Sequence, residues 1–152
     1  MVVAVDAMGG DNAPAAIVEG AVMAARDYGI QTLLIGLENK IREELSRYSL
    51  EGLSIHTKNA SEVVEMGDSP SRTLRQKRDS SIRVAVESLL SGEADAMVSA
   101  GNTGAVLAVS TVVLRPLPGI DRPAIAILLP TAKGPVVLLD AGANVDCRSE
   151  LL

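Results

Sequence analysis

VVAVDAMGGDNAP, residues 2–14, reads as a buried strand running into a glycine turn and the start of a helix. Val2, Val3, Ala4 and Val5 form a short apolar run rich in β-branched side chains, the pattern of a parallel strand covered on both faces. Gly9-Gly10 permits positive φ and close backbone approach. Asp11 and Asn12 are expected to cap the helix that follows, and Pro14 suits a first helical turn, where its missing N–H costs nothing. A helix that opens from a strand end leaves unpaired amides and the positive end of a dipole, which suits phosphate. The plainer alternative is a tight turn with no ligand. The stretch is not a dinucleotide fingerprint: it lacks the G-x-G-x-x-G spacing, and the second strand ends in Gly36-Leu37 before Glu38, leaving no acid for a ribose.

Outward from this stretch, residues 13–28 place Ile17, Val18, Ala21, Val22 and Ala25 on one helical stripe, with Gly29 as the stop. A strand over 31–35, a charged amphipathic helix over 38–48 and a strand over 53–58 continue a β-α-β-α-β order, which implies parallel strands. Residues 59–81 are the least apolar part, read as a short helical piece at 61–66, a turn at 67–70 and a basic run from Arg72 to Arg78. A helix over 81–90, capped by Ser80 or Ser81 and stopped by Gly92, leads to a strand over 95–99, the loop Ala100 to Gly104 and an apolar helix over 105–114. Strands over 124–129 and 136–140, joined by too few residues for a helical crossover, should be antiparallel and make the sheet mixed. A third glycine-and-polar exit follows at Asp140 to Cys147. The whole, 1–152, reads as a single α/β domain forming the N-terminal part of a longer subunit.

The chain's 152 residues are 47% hydrophobic yet hold no Phe or Trp and only two Tyr, so the core is aliphatic. A net charge of -5 argues against non-specific nucleic-acid binding, and the single Cys excludes a disulfide framework. Apolar runs such as Ala105 to Leu114 are too short to cross a bilayer, and the start at Met1 has no signal-peptide pattern.

In an open parallel sheet, ligands bind beyond the carboxyl ends of the strands. Three loops at such ends, Asp6 to Asn12, Ser99 to Gly104 and Asp140 to Cys147, pair glycines with Asn and with Asp, Ser or Thr, and together suggest a polar cleft. Arg72, Arg75, Lys77 and Arg78, feeding a Ser-capped helix start, suit an anion better than either feature alone, though a basic run is most often a solvated helix face. Cys147 has no His near it in sequence and reads as a bystander, and His56, on a strand, as a surface residue. Neither Asp6 with Asp11 nor Asp140 with Asp146 has spacing that names a metal.

The blocks VAVDAMGGDNAP, SRTLRQKRDSSIRVAVE, ADAMVSAGNTGA and LLDAGANVDC together resemble the phosphate acyltransferase family of bacterial phospholipid synthesis, PlsX. The resemblance runs in order along the chain and covers roughly the first half of a family subunit. It implies transfer of a fatty acyl group from acyl carrier protein to inorganic phosphate, with no cofactor. It implies a three-layer α/β/α Rossmann-like sandwich similar to the isocitrate and isopropylmalate dehydrogenases, and a cytoplasmic homodimer. That dimer would sit at the membrane surface, beside the glycerol-3-phosphate acyltransferase that uses the acyl phosphate. Phosphate is then its own nucleophile, so no triad is needed. On that footing Lys77, Arg78 and Ser80 are expected to bind phosphate or an acidic partner. The amides of Gly9, Gly10, Asp11 and Asn12 and of Gly101, Asn102, Thr103 and Gly104 would serve phosphate and the oxyanion. Asn102 and Asn144 would position the substrates, Asp6 and Asp146 would orient them, and Ser99 and Gly142 would complete the cleft. The rivals are a coenzyme A-dependent phosphotransacylase and a non-catalytic anion-binding module.

Overall fold

A computed structural model describes residues 1–120 and 123–139. It divides into two compact units, Met1–Leu114 and Arg115–Leu152. In the first, β1 (Val2–Asp6), α1 (Ala15–Tyr28), β2 (Gln31–Gly36), α2 (Glu38–Leu45) and β3 (Ile55–Asn59) are followed by α3 (Pro70–Gln76), α4 (Ser81–Leu90), β4 (Ala96–Val98) and α5 (Thr103–Val113). The four strands form one parallel sheet in the order β3-β2-β1-β4.

The layering follows from strand periodicity. Side chains alternate across β2, so Leu34 packs with Val18 and Val22 of α1 and Ile41 of α2, while Leu33 and Ile35 pack on the other face with Val84 and Ala85 of α4. Five consecutive residues of β2 are buried, which explains its unbroken apolar run. Leu34, Ile35, Ile41, Val18 and Val22 are almost wholly removed from water, each burial being worth about 1.5–3 kcal/mol. A third cluster joins Ile82 and Val86 of α4 to Ala105 and Val109 of α5, with Val64 and Leu74 beside them. Between α1 and the β1–β4 face lies an apolar groove of about 350 Å³, in which Thr32 is the one polar lining residue.

Several expectations need correction. Asp11 and Asn12 do not cap α1 with their side chains: Pro14 holds the N-cap position, and Asn12 contributes its main-chain carbonyl to the Ala16 amide at 3.1 Å. Residues 61–66 are not helical but form a bridge and a turn, whereas Arg72 and Arg75 of the basic run lie on α3, with Lys77 at its C-cap and Arg78 beyond it. The sheet of the first unit is purely parallel. The second unit holds its own two-stranded antiparallel sheet, β5 (Ala126–Thr131) with β6 (Gly134–Leu139), whose tight turn leaves only Ala132 and Lys133 between the strands. Antiparallel pairing is as expected; membership of the main sheet is not.

Candidate active site

The order β3-β2-β1-β4 reverses at β1, because the chain steps outward from β1 to β3 and then returns to β1's other edge. At such a switch point the two strand exits diverge and leave a crevice. The register pairs Val5 with Val98, so Asp6 and Ser99 emerge level with each other. Asp6 is buried, its Oδ2 accepting from Ser99 Oγ at 2.7 Å and its Oδ1 from the Met8 amide at 3.1 Å. Ser99 Oγ in turn accepts from the Gly101 amide at 3.1 Å. One carboxylate therefore fixes both exit loops.

The glycines permit that closeness. A methyl group on Gly9 would stand 2.5 Å from Asp6 Oδ2 and 2.8 Å from the Gly101 nitrogen, distances no side chain tolerates. Gly10 turns at φ +99°, a conformation that disfavours any other residue, against the Ala100 carbonyl. The two loops thus press backbone to backbone, with Asp11, Asn12 and Thr103 exposed on the same exits.

α5 begins at this rim. Asn102 Oδ1 accepts from the Ala105 amide at 3.0 Å, a side-chain N-cap, and the amides of Thr103 and Gly104 have no acceptor one turn back within the helix. Asn102 Nδ2 faces the main-chain carbonyls of Glu65, Met66 and Asp68 at 3.3, 3.0 and 2.9 Å. Its amide is therefore committed to strapping the loop 65–68 onto the start of α5, so Asn102 shapes the rim rather than offering that amide outward.

The segment between β3 and α4 is held by charge. Ser69 caps α3, with Pro70 in its first turn. Lys77 Nζ, expected to meet an anion, points inward to Asp68 Oδ2 and the Val63 carbonyl, each at 2.5 Å. Hydrogen bonds from Lys77 and then from the Glu65 amide hold the Asp68 carboxyl below the usual aspartate value of 3.8. Asp79 is lowered likewise by the Ser61 hydroxyl and amide, at 2.6 and 2.8 Å. Ser80, another expected phosphate ligand, is wholly buried with an unpaired Oγ, as is Thr73. Its place at the N-cap of α4, beneath the bridge from Glu62 to Ser80, removes its hydroxyl from any outside anion. Arg78 remains exposed.

The structure thus brings together Asp6, Gly9, Gly10, Ser99, Gly101, Asn102, Thr103 and Gly104. It turns Lys77 and Ser80 inward, and Asn144, Asp146, Gly142 and Cys147 lie outside the described residues. His56 is exposed on the edge strand β3. Among the described residues no three His, Cys, Asp or Glu side chains gather as a metal site. Sequence reading missed Asp68, because a pairing nine residues along the chain follows no helical or strand period. Ser69-Pro70, a cap followed by a first-turn proline, was the available sign of α3.

The comparisons with known proteins agree with one another. The family described as "Fatty acid synthesis protein" matches residues 1–152. The protein named phosphate acyltransferase in Geobacter sulfurreducens is 57% identical over 148 residues, covering 97% of this chain and 43% of that relative. Its namesake in Trichlorobacter lovleyi is 53% identical over 152 residues, 100% of this chain and 44% of the relative. The one in Nitratidesulfovibrio vulgaris is 48% identical over 147 residues, 97% of this chain and 43% of the relative. The chain spans less than half the length of these relatives. With its full length matched and its switch-point loops as described, the chain belongs to the fatty acid synthesis protein family.

Proposed function

We propose that the β1–β4 rim is the phosphate and oxyanion side of an acyl-transfer site, and that the protein moves a fatty acyl group from acyl carrier protein to inorganic phosphate. The observation that supports this is the closure of two glycine exits on the buried Asp6–Ser99 pair beside the start of α5, where the Thr103 and Gly104 amides have no acceptor within the helix. In the reaction a phosphate oxygen bonds to the thioester carbonyl carbon, the carbon–sulfur bond breaks, and the thiolate leaves and takes up the proton from phosphate. Such a step requires two anions held side by side and a place for the tetrahedral oxyanion, which fixed amides supply without reorganisation. Asp6 accepts from Ser99 and so keeps the Gly101 loop in place throughout.

The same reading gives the complete subunit the layered architecture of the isocitrate and isopropylmalate dehydrogenases. It makes the protein a cytoplasmic homodimer at the membrane surface, delivering acyl phosphate to a glycerol-3-phosphate acyltransferase. Among the described residues no helix is long and apolar enough to cross a membrane.

The test is acyl-phosphate formation, trapped with hydroxylamine, from long-chain thioesters of carrier protein and of coenzyme A assayed side by side. The Geobacter sulfurreducens relative serves as reference. Hydroxamate from the carrier-protein thioester is expected. Hydroxamate from the coenzyme A thioester alone would replace the donor, and none from either while the relative turns over would remove the reading.

A further inference from the structure

We propose that Arg72 and Arg75 on α3, continued by Arg78, form a docking surface for an acidic protein partner. On the function proposed above, that partner is the carrier that presents the acyl thioester. Charge is sorted in this segment. The chain carries a net charge of -5, yet four of its 14 basic residues fall between positions 72 and 78. The acids next to them are engaged within the segment: Asp68 binds Lys77, Asp79 accepts from the Ser61 amide and hydroxyl, and Glu62 accepts from the Asp79 amide at 2.7 Å. Arg72 reaches Asp68 only at 3.8 Å with most of its side chain exposed, and Arg75 and Arg78 are exposed with no ion pair among the described residues. Elsewhere Arg42, Arg47 and Arg83 each pair with a glutamate of the same chain at 2.7 to 2.8 Å. The local anions thus hold the loop, and the arginines are left outward.

Their arrangement selects the kind of partner. Positions three apart on a helix form a row along its surface, which matches a row of carboxylates rather than converging on one small anion. α3 presents Ser71 and Gln76 among its arginines, and its Leu74 is packed inward, so it lacks the outward apolar face of a helix that lies in a membrane. The row also stands beside the rim, since a methyl on Gly104 would lie 3.1 Å from Pro70 Cγ. A partner seated there holds its cargo next to the Gly101 to Gly104 loop.

The experiment compares the chain with its Arg72→Gln/Arg75→Gln variant in calorimetric titrations with acyl carrier protein at low and moderate salt, together with acyl-phosphate assays. Far-ultraviolet spectra and melting curves establish that the variant folds. Expected are salt-sensitive binding by the native chain and about tenfold weaker binding by the variant. The KM for carrier-protein thioester should rise by a similar factor while the KM for phosphate stays constant. Equal binding by the two proteins, or no binding by the native chain, overturns the proposal. So does a loss seen only in parallel titrations with phosphatidylglycerol vesicles. Binding that follows the arginines without any acyl-phosphate formation would remove the proposed function and leave the docking surface standing. Turnover with an unchanged KM in the variant would do the reverse.

Discussion

The β1–β4 rim and the segment from Ala60 to Ser80 both border the carboxyl end of the sheet, and they are fastened by opposite means. At the rim, backbone meets backbone: Gly9 and Gly101 leave no room for a methyl group, and a single buried carboxylate, Asp6, ties the two exits. In the segment, side chains carry the load across long sequence separations, through Lys77 with Asp68, Asp79 with Ser61, and Asn102 with the carbonyls of residues 65, 66 and 68. The first kind of joint is rigid and intolerant of added volume. The second tolerates volume but responds to pH and salt.

The sharpest way to break that contrast is at the rim. Gly9→Ala should lower the unfolding free energy by about 1–3 kcal/mol through overpacking, and acyl-phosphate formation should fall with it. Denaturant melts check the first and the hydroxamate assay the second. A variant as stable as the native chain would mean that the two loops are not truly in contact.

Next in size is Asn102, where the two kinds of joint meet. Asn102→Ala removes the cap, at a cost of about 1 kcal/mol, and also the strap. Asn102→Asp keeps an oxygen for the Ala105 amide but sets a carboxylate oxygen against three carbonyls. Amide exchange should therefore quicken at residues 65–68 in both variants, and at the start of α5 only in the alanine variant. Identical exchange patterns in the two would show that cap and strap are not separable.

The smallest effect belongs to Asp68. Its folded carboxyl titrates below the usual 3.8 because Lys77 and the Glu65 amide favour the charged form. Its contribution is therefore complete above that usual value and is lost as pH falls through the lowered one. Asp68→Asn should melt below the native chain at neutral pH, and the gap should close on acidification through that window. A gap that stays constant with pH would show that the Lys77 contact does not stabilise the fold.

The same contrast explains what could be read from residues alone. β1, β2 and α4 were legible because burial on one or both faces imposes a periodic apolar pattern, and α4 lies at the expected Ser81–Leu90. The rim was legible because glycines are required where backbones touch. The start of α1 was misread because Asp11 and Asn12 have the chemistry of caps. Yet the turn at Gly10, closed by the Ala13 amide on the Gly10 carbonyl at 3.2 Å, carries the loop on before the helix begins at Ala15. α3 was missed because its seven residues turn only Thr73 and Leu74 toward the interior, too few for a stripe. Lys77 looked like a free cation for the same reason that Asp68 went unnoticed: their pairing depends on a tertiary turn.

The central claim is that the glycine exits of β1 and β4 are where phosphate binds. Titrating inorganic phosphate into the isotopically labelled chain and following its amide resonances tests this most directly. Saturable shifts concentrated at the amides of Gly10, Thr103 and Gly104 are expected. Shifts confined to α3 and the other exposed basic residues, or no saturable shift at those three amides, would contradict it.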